Sequence, residues 1–156
     1  MSRRPSLEVR LARAGLDGGR ALEDLTVAGL LVDGELDDAE LELLSSAAAP
    51  ADAVAVLAAL ATAAPALLAQ VRADHDWLAR VIAVAGASRP LGDLLGRGTD
   101  AVHALADLDP VEVAPTAAAV EAAVRAAADV ASQAAGIASI RRRATADIAG
   151  RDLTGV

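Results

Sequence analysis

The sequence predicts an all-α fold, a bundle of about seven to nine short helices that ends in a long alanine-rich helix. Glycine and proline recur at short intervals, with Ser, Thr or Asp at positions suited to helix caps. Between them, apolar residues recur every three or four positions. Trp77 is the only aromatic residue, and no segment alternates apolar and polar residues, which excludes an all-β fold.

The first half of the chain divides into six predicted helices, each bounded by a cap or a breaker. They start at or near Ser6, Asp17, Asp37, Pro50, Pro65, and Asp74 or Asp76. Gly15 ends the first helix, and the second is expected over residues 17–32. Gly86 is expected to end the sixth in the left-handed conformation, as glycine does at many helix C-termini.

The second half predicts two short helices and one long one. Ser88 caps the seventh helix, and Thr99 or Asp100 caps the eighth. A turn with two prolines follows. A single alanine-rich helix is then expected over residues 116–150, with Gly136 as its weak point.

Charge and cysteine content narrow the function classes. The chain has 156 residues, a formal net charge of −8 and no cysteine. Disulfides, thiolate metal sites and cysteine nucleophiles are therefore excluded, and nonspecific binding to nucleic acid or to an anionic membrane is not expected. Alanine buries little apolar area, so we expect the bundle to be marginally stable. Its apolar faces are expected to need another domain that covers them.

Charged residues are unevenly distributed. Acids crowd residues 17–42, where Arg20 is the only basic residue. These residues form either solvated helix faces or a specific interface with a charged partner. Arg141, Arg142 and Arg143 spread around a helix, so we expect a solvated segment with one arginine reaching an acidic neighbour rather than nucleic-acid binding.

Residues 53–71 carry no charge over nearly the length that spans a bilayer. Pro65 interrupts the segment, Asp52 and Arg72 flank it, and no aromatic belt accompanies it. We therefore expect two buried helices broken at Pro65, with a membrane-associated protein as the weaker alternative.

No segment has the spacing of a catalytic or metal site. Residues 74–76, Asp-His-Asp, suit a capped helix start better than a zinc site. The glycine-rich residues 15–19 and 92–98 lack the strand-to-helix turn of a phosphate loop. Ser88 lacks the second glycine and the strand of a nucleophile elbow. We therefore assign no catalytic, cofactor-binding or metal-binding residue.

Two segments together resemble a known family. Residues 78–93 fit the pattern L-x-R-x-x-x-V-x-G-A-S-x-x-L-G-D. Residues 140–143, Ile-Arg-Arg-Arg, are followed by residues 148–155, which are similar to the last eight positions of the pattern R-I-A-x-R-D-L-x-G. In this order, with a helical spacer, they resemble the N-terminal region of the bacterial bifunctional glutamine synthetase adenylyltransferase/adenylyl-removing enzyme. The similarity covers about residues 40–156, and the first 35 or so match only loosely.

The resemblance implies an enzyme with two nucleotidyltransferase domains, one attaching AMP to a tyrosine of glutamine synthetase and the other removing it. Each domain uses a Gly-Ser motif and two aspartates that hold Mg²⁺ around the nucleotide phosphates. This chain carries no such motif and stops about where the first catalytic domain would begin. ATP and Mg²⁺ therefore belong to the family, and no cofactor is expected here. The implied partners are the rest of the adenylyltransferase and, through it, glutamine synthetase.

The residues that match the two motifs are expected to have structural roles. They are Arg80, Gly86, Ser88, Leu91, Gly92 and Asp93 in the first motif and Arg151, Asp152 and Gly155 in the second. The resemblance implies that Arg151 and Asp152 bridge to the following domain. Asp147 departs from the family, which tends to have arginine there.

Three segments are expected: residues 1–35 as an N-terminal extension, 36–106 as the helical bundle, and 107–156 as a proline turn and helix leading toward an absent nucleotidyltransferase domain. The predicted function is that of a cytoplasmic helical lead-in from this nitrogen-regulation family, inactive alone and encoded by a truncated gene or an incomplete gene model. The alternative is an independent helical interaction module.

Overall fold

The computed structural model describes residues 5–16, 18–106, 108 and 117–155. Within these ranges the chain forms ten α-helices and one two-stranded antiparallel hairpin, which confirms the all-α prediction. In chain order the elements are α1 (Leu7–Arg13), α2 (Gly19–Val27), β1 (Leu31–Val32), β2 (Glu35–Leu36), α3 (Asp38–Ser46), α4 (Pro50–Ala63), α5 (Pro65–Ala73), α6 (His75–Ala87), α7 (Arg89–Gly96), α8 (Thr99–Ala104), α9 (Ala117–Ala126) and α10 (Val130–Thr154).

The hairpin corrects the helix predicted over residues 17–32. Helix α2 ends at Val27, and β1 and β2 then pair with Leu31 opposite Leu36. Asp33 and Gly34, between the strands, both have positive φ, at 53° and 77°. Two central residues with positive φ define the tight turn that Asp-Gly favours, and this local preference outweighs helix propensity. The predicted start at Asp17 lies outside the described residues.

The core lies between α4 and α6, with α2, α5, α7 and α8 packed around them. Val54 and Leu57 of α4 and Val81 of α6 are fully buried. The buried cluster also includes Leu11 of α1 and Ala146 of α10, so it draws on all three of the expected segments.

The uncharged residues 53–71 form parts of α4 and α5, which meet at Pro65 as predicted. Among the described residues, no single helix is long and apolar enough to cross a membrane. Helices α3 and α4 pass that test only as a pair, and they are bent by 119°.

The predicted helix over residues 116–150 is two helices. The chain breaks after Ala126, and Asp129 caps α10 by accepting a hydrogen bond from the Ser132 backbone N–H. Gly136, the expected weak point, lies inside α10, where a Cβ would sit 3.6 Å from Ala123 Cβ. The break therefore falls at the cap, because a side chain that satisfies the first free N–H groups favours a helix start. The expected turn at residues 107–115 lies, apart from Leu108, outside the described residues.

We use the term arm for α9 together with residues 130–138 of α10. Helix α9 packs mainly against α10, and none of the described side chains in the arm is buried. The rest of α10 lies across α6 and α8. The arm therefore projects from the core, and the second half of α10 anchors it.

Candidate functional site

The C-terminal end of α8 is held by side chains from α6. The Trp77 indole Nε1 donates to the Val102 carbonyl at 2.9 Å. Arg80 donates to the carbonyls of Leu105 and Ala106 at 3.2 and 2.8 Å. The last carbonyls of a helix have no partner within that helix, and a cation there also complements the helix dipole. Arg80, from the first motif, therefore caps α8.

Helix α10 packs on this same turn of α8. Gly150 lies so close that a Cβ there would stand 2.7 Å from Leu105 Cδ2 and 3.0 Å from Leu108 Cδ1. Ala146, one turn earlier, is fully buried. Small residues at both positions let the two helices approach closely. The second motif therefore meets the first at α8, although the two are separated by more than 40 residues of sequence.

A two-point ion pair fastens α10 to the start of α8. Arg142 Nη2 lies 3.0 Å from Asp100 Oδ2, and Arg142 Nε lies 3.3 Å from Asp100 Oδ1. Burial raises the pKa of Asp100, but hydrogen bonds from Arg142 and Ser139 and the charge of Arg142 outweigh it, so the pKa lies below its ordinary value of 3.8. This pair confirms that one arginine of residues 141–143 reaches an acidic neighbour.

The other residues of the second motif lie at the C-terminal end of α10. Arg151 forms a two-point pair with Asp147, with both distances at 3.1 Å, and both side chains are largely buried. Asp147, where the sequence departs from the family pattern, is thus the partner of a motif arginine. Asp152 is exposed, and Gly155 follows the helix in the left-handed conformation with φ of 72°.

In the first motif, the predicted role of Gly86 is wrong, and that of Ser88 is met in its position but not in its hydrogen bond. Gly86 lies inside α6 and is not left-handed; a Cβ there would be 2.8 Å from Ala47 Cβ and 3.2 Å from the Ala49 carbonyl oxygen. Its role is close packing, since the Gly86 carbonyl also accepts from the Ala49 N–H. Ser88 occupies the cap position of α7, but its side chain makes no capping hydrogen bond.

The remaining residues of that motif lie on α7. Leu91 is half-buried and belongs to the rim of the core. Gly92 is buried, and a Cβ there would lie 3.2 Å from both the Ala85 carbonyl oxygen and Val56 Cγ2. Asp93 is exposed and pairs with Arg97 at 3.5 Å, a surface contact of small energetic value. Gly92 therefore sets the distance between α7 and its neighbours α4 and α6.

The acidic residues 17–42 are partly neutralised by arginines that the sequence analysis did not single out. Arg10, nearly buried, donates to Glu35, to Asp38 and to the Leu36 carbonyl. Arg72 donates to Glu40 and to the Gly29 carbonyl. The only sequence signal is a lone arginine beside apolar positions of a helix. These contacts tie the hairpin and α3 to the core.

Two grooves lie on the surface, and the first adjoins the Arg72 contacts. One, of about 720 Å³, lies beside the hairpin and is lined by Arg72, His75 and the acids of α3. The other, of about 640 Å³, lies between α2, α4 and α7 and includes Gly92 and Asp93. The described residues contain no group of three or more potential metal ligands. Asp74 caps α6 by accepting from the Trp77 N–H at 3.0 Å.

Comparison of the chain with protein-family models, curated proteins and solved structures finds no match. The resemblance to the adenylyltransferase family therefore rests on the two motif segments of the sequence alone.

Proposed function

We propose that this chain is a helical, non-catalytic lead-in of a nucleotidyltransferase of the glutamine synthetase adenylyltransferase type. The observation that carries the proposal is the meeting of the two motif segments at α8. Arg80 binds the carbonyls of Leu105 and Ala106, while Gly150 packs on the Leu105 side chain. Under the proposal, this shared contact gives both motif segments a role in positioning α8 and α10.

Under this proposal, the contacts among α6, α8 and α10 hold α10 in a fixed orientation. The Arg142–Asp100 pair and the close approach at Gly150 set the direction in which α10 runs. Asp152, exposed beside the buried Arg151–Asp147 pair, is available to a neighbouring domain. That domain would hold ATP and Mg²⁺ and act on glutamine synthetase in the cytoplasm.

The motif residues themselves are best explained by packing. Arg80 caps a helix, Gly86 and Gly92 permit close contacts, and Arg151 is paired within its own helix. None of these roles is chemical. We therefore expect the purified chain, given ATP, Mg²⁺ and glutamine synthetase, to transfer or remove no AMP.

The test begins with the protein in its native cells, detected by an antibody against this chain. The proposal expects a species several times heavier than 15.6 kDa, with peptides that continue beyond Val156. A native species of 15.6 kDa would contradict it.

A binding measurement then tests the proposed contact. The purified chain is titrated with a separately expressed AMP-transferring domain of the family. Asp152→Arg should weaken binding about tenfold, as expected for reversing an interfacial charge. Glu23→Arg, a charge reversal at an exposed position on α2, is the matched control and should have no effect. Equal binding by both variants would exclude Asp152 from the contact.

The second candidate function is an independent helical interaction module, and the exposed arm favours it. Val124 and Val130 of the arm are exposed in the described structure. A 15.6 kDa native species together with a specific protein partner would support this alternative.

A further inference from the structure

Helix α10 carries an apolar stripe on the side that faces away from the core. Val130, Ile137 and Ile148 are 79%, 43% and 48% exposed. At 3.6 residues per turn, all three lie within about 20° of one line along the helix. The buried Ala146 and Gly150 lie roughly 180° away. An outer helix face normally carries charged or polar residues, so among the described residues this stripe is an unpartnered surface.

The stripe has a symmetric order. Its members are Val130, Ala134, Ile137, Arg141, Ala144 and Ile148. Read from either end, it gives a branched aliphatic residue, an alanine and then a long side chain. The spacing, four and three residues alternately, is also the same in both directions. A two-fold interface requires such self-complementarity, because each copy presents the same patch to the other.

We propose that this stripe pairs with the same stripe of a second copy in an antiparallel arrangement centred near residue 139. Val130 then lies opposite Ile148 of the second copy, and Ala134 lies opposite Ala144 of the second copy. The alanines permit close approach of the helices, as small residues do at helix crossings. The inference does not depend on the proposed function.

Arg141 fits this arrangement and also limits its strength. It lies opposite Ile137 of the second copy, where its aliphatic stem covers the isoleucine while the guanidinium reaches solvent. Arg141 has no ion pair with any described residue, so the pairing breaks no existing contact. The two Arg141 charges repel each other across the axis.

The size of the stripe predicts a weak dimer. From residue 130 to residue 148 it is roughly 27 Å long, so the pairing buries on the order of 1,000 Å² or less, where weak and transient complexes fall. We therefore expect a concentration-dependent equilibrium between monomer and dimer. Because like charges meet at its centre, salt should strengthen the dimer.

The first test is sedimentation velocity of the full chain over roughly a hundredfold range of concentration. Wild type should shift from monomer toward dimer. Ile137→Asp should weaken the dimer at least about tenfold, because it places a charge in the pairing face. Val9→Asp on α1 is a control of equal exposure, 43%, and should change nothing. Arg141→Leu should tighten the dimer.

Disulfide trapping tests the register, since the chain has no cysteine of its own. Ala134→Cys and Ala144→Cys variants are oxidised alone and mixed. The antiparallel register predicts a disulfide only in the mixture. Homodimers of each variant, or a monomer at every concentration, would overturn the proposal. An unchanged dimer in Ile137→Asp would place the interface elsewhere and overturn it equally. Retained helical circular dichroism shows that each variant is folded.

Discussion

The α4–α6 core and the α9–α10 arm are both alanine-rich helices with interspersed aliphatic residues, yet they differ in how far those residues are buried. In α4, Val54 and Leu57 alternate with alanine and are fully buried against α6. In the arm, described alanines occupy both the face toward α10 and the face toward solvent, and none of the described side chains is buried. The comparison teaches that alanine makes both segments helical, whereas burial depends on which helices pack against them: α6 covers Val54 and Leu57, while Val124, Val130 and Ile137 in the arm stay exposed.

The largest expected effect is a cavity in the core. Leu57→Ala removes a fully buried side chain and should destabilise the protein by roughly 3–5 kcal/mol, the cost of lost burial plus the cavity. Urea denaturation followed by circular dichroism measures it. Leu22→Ala, at an exposed position of α2, should change the free energy of unfolding by less than about 0.5 kcal/mol. Similar losses in the two variants would contradict the core assignment.

A pair of glycine substitutions sharpens the comparison. Gly86→Ala forces a contact with Ala47 and the Ala49 carbonyl and should cost about 1–3 kcal/mol. Gly136→Ala in the arm meets only an ordinary contact with Ala123 and should stabilise α10 locally by about 0.5–1 kcal/mol. Thermal unfolding measures the first, and hydrogen exchange around residue 136 measures the second. If both substitutions changed stability in the same direction, the difference in packing between the core and the arm would be contradicted.

The ion pair between α8 and α10 should give a smaller, pH-dependent effect. Asp100→Asn should cost about 1 kcal/mol near neutral pH, since the paired side chains are only partly buried. The folded-state pKa of Asp100 is lowered, so its contribution is fully present above the ordinary value of 3.8. The contribution is lost as pH falls through the lower folded-state pKa.

Urea unfolding at about pH 6 and about pH 3 checks this sign. The difference in stability between wild type and Asp100→Asn should be large at the higher pH and shrink at the lower one. Glu121→Gln, which removes half of an exposed pair on the arm, should be neutral at both. If the difference in stability between wild type and Asp100→Asn grew as the pH fell, the stabilising role of ionised Asp100 would be refuted.

The smallest expected effects come from removing two N-terminal helix caps of the same kind, in each of which an aspartate accepts a hydrogen bond from the backbone N–H three residues later. Asp74→Ala removes the cap of α6 and should lower global stability by about 1 kcal/mol. Asp129→Ala removes the cap of α10 in the exposed arm and should speed amide exchange only in the first turns of α10. The pKa of Asp129 is lowered chiefly by the Ser132 N–H, so acid should have the same local effect. Global destabilisation by Asp129→Ala would show that the arm unfolds together with the core.

Prediction from sequence succeeded where a single residue decides the local backbone. Pro50 and Pro65 begin helices and Asp74 caps one, as expected from the missing N–H of proline and the reach of a carboxylate. The Asp33-Gly34 turn follows the same kind of rule, but the helix predicted over residues 17–32 did not take this turn into account. For the site, the sequence indicated that one arginine of residues 141–143 reaches an acidic neighbour, without identifying the arginine or its partner. It placed Ser88 at the cap of α7 but misassigned the conformation of Gly86.

The sequence by itself determined the helical class, most helix starts and the two motif segments, because caps, breakers and apolar spacing act over a few neighbouring residues. Only the tertiary structure decided that Arg80 caps α8, that Gly86 and Gly150 are sites of close contact, and that one face of α10 is left uncovered by the other described residues. Each of these depends on which helices pack together across long stretches of chain. In an alanine-rich helix the sequence does not distinguish the buried face from the exposed one, because which face is buried depends on where the neighbouring helices pack.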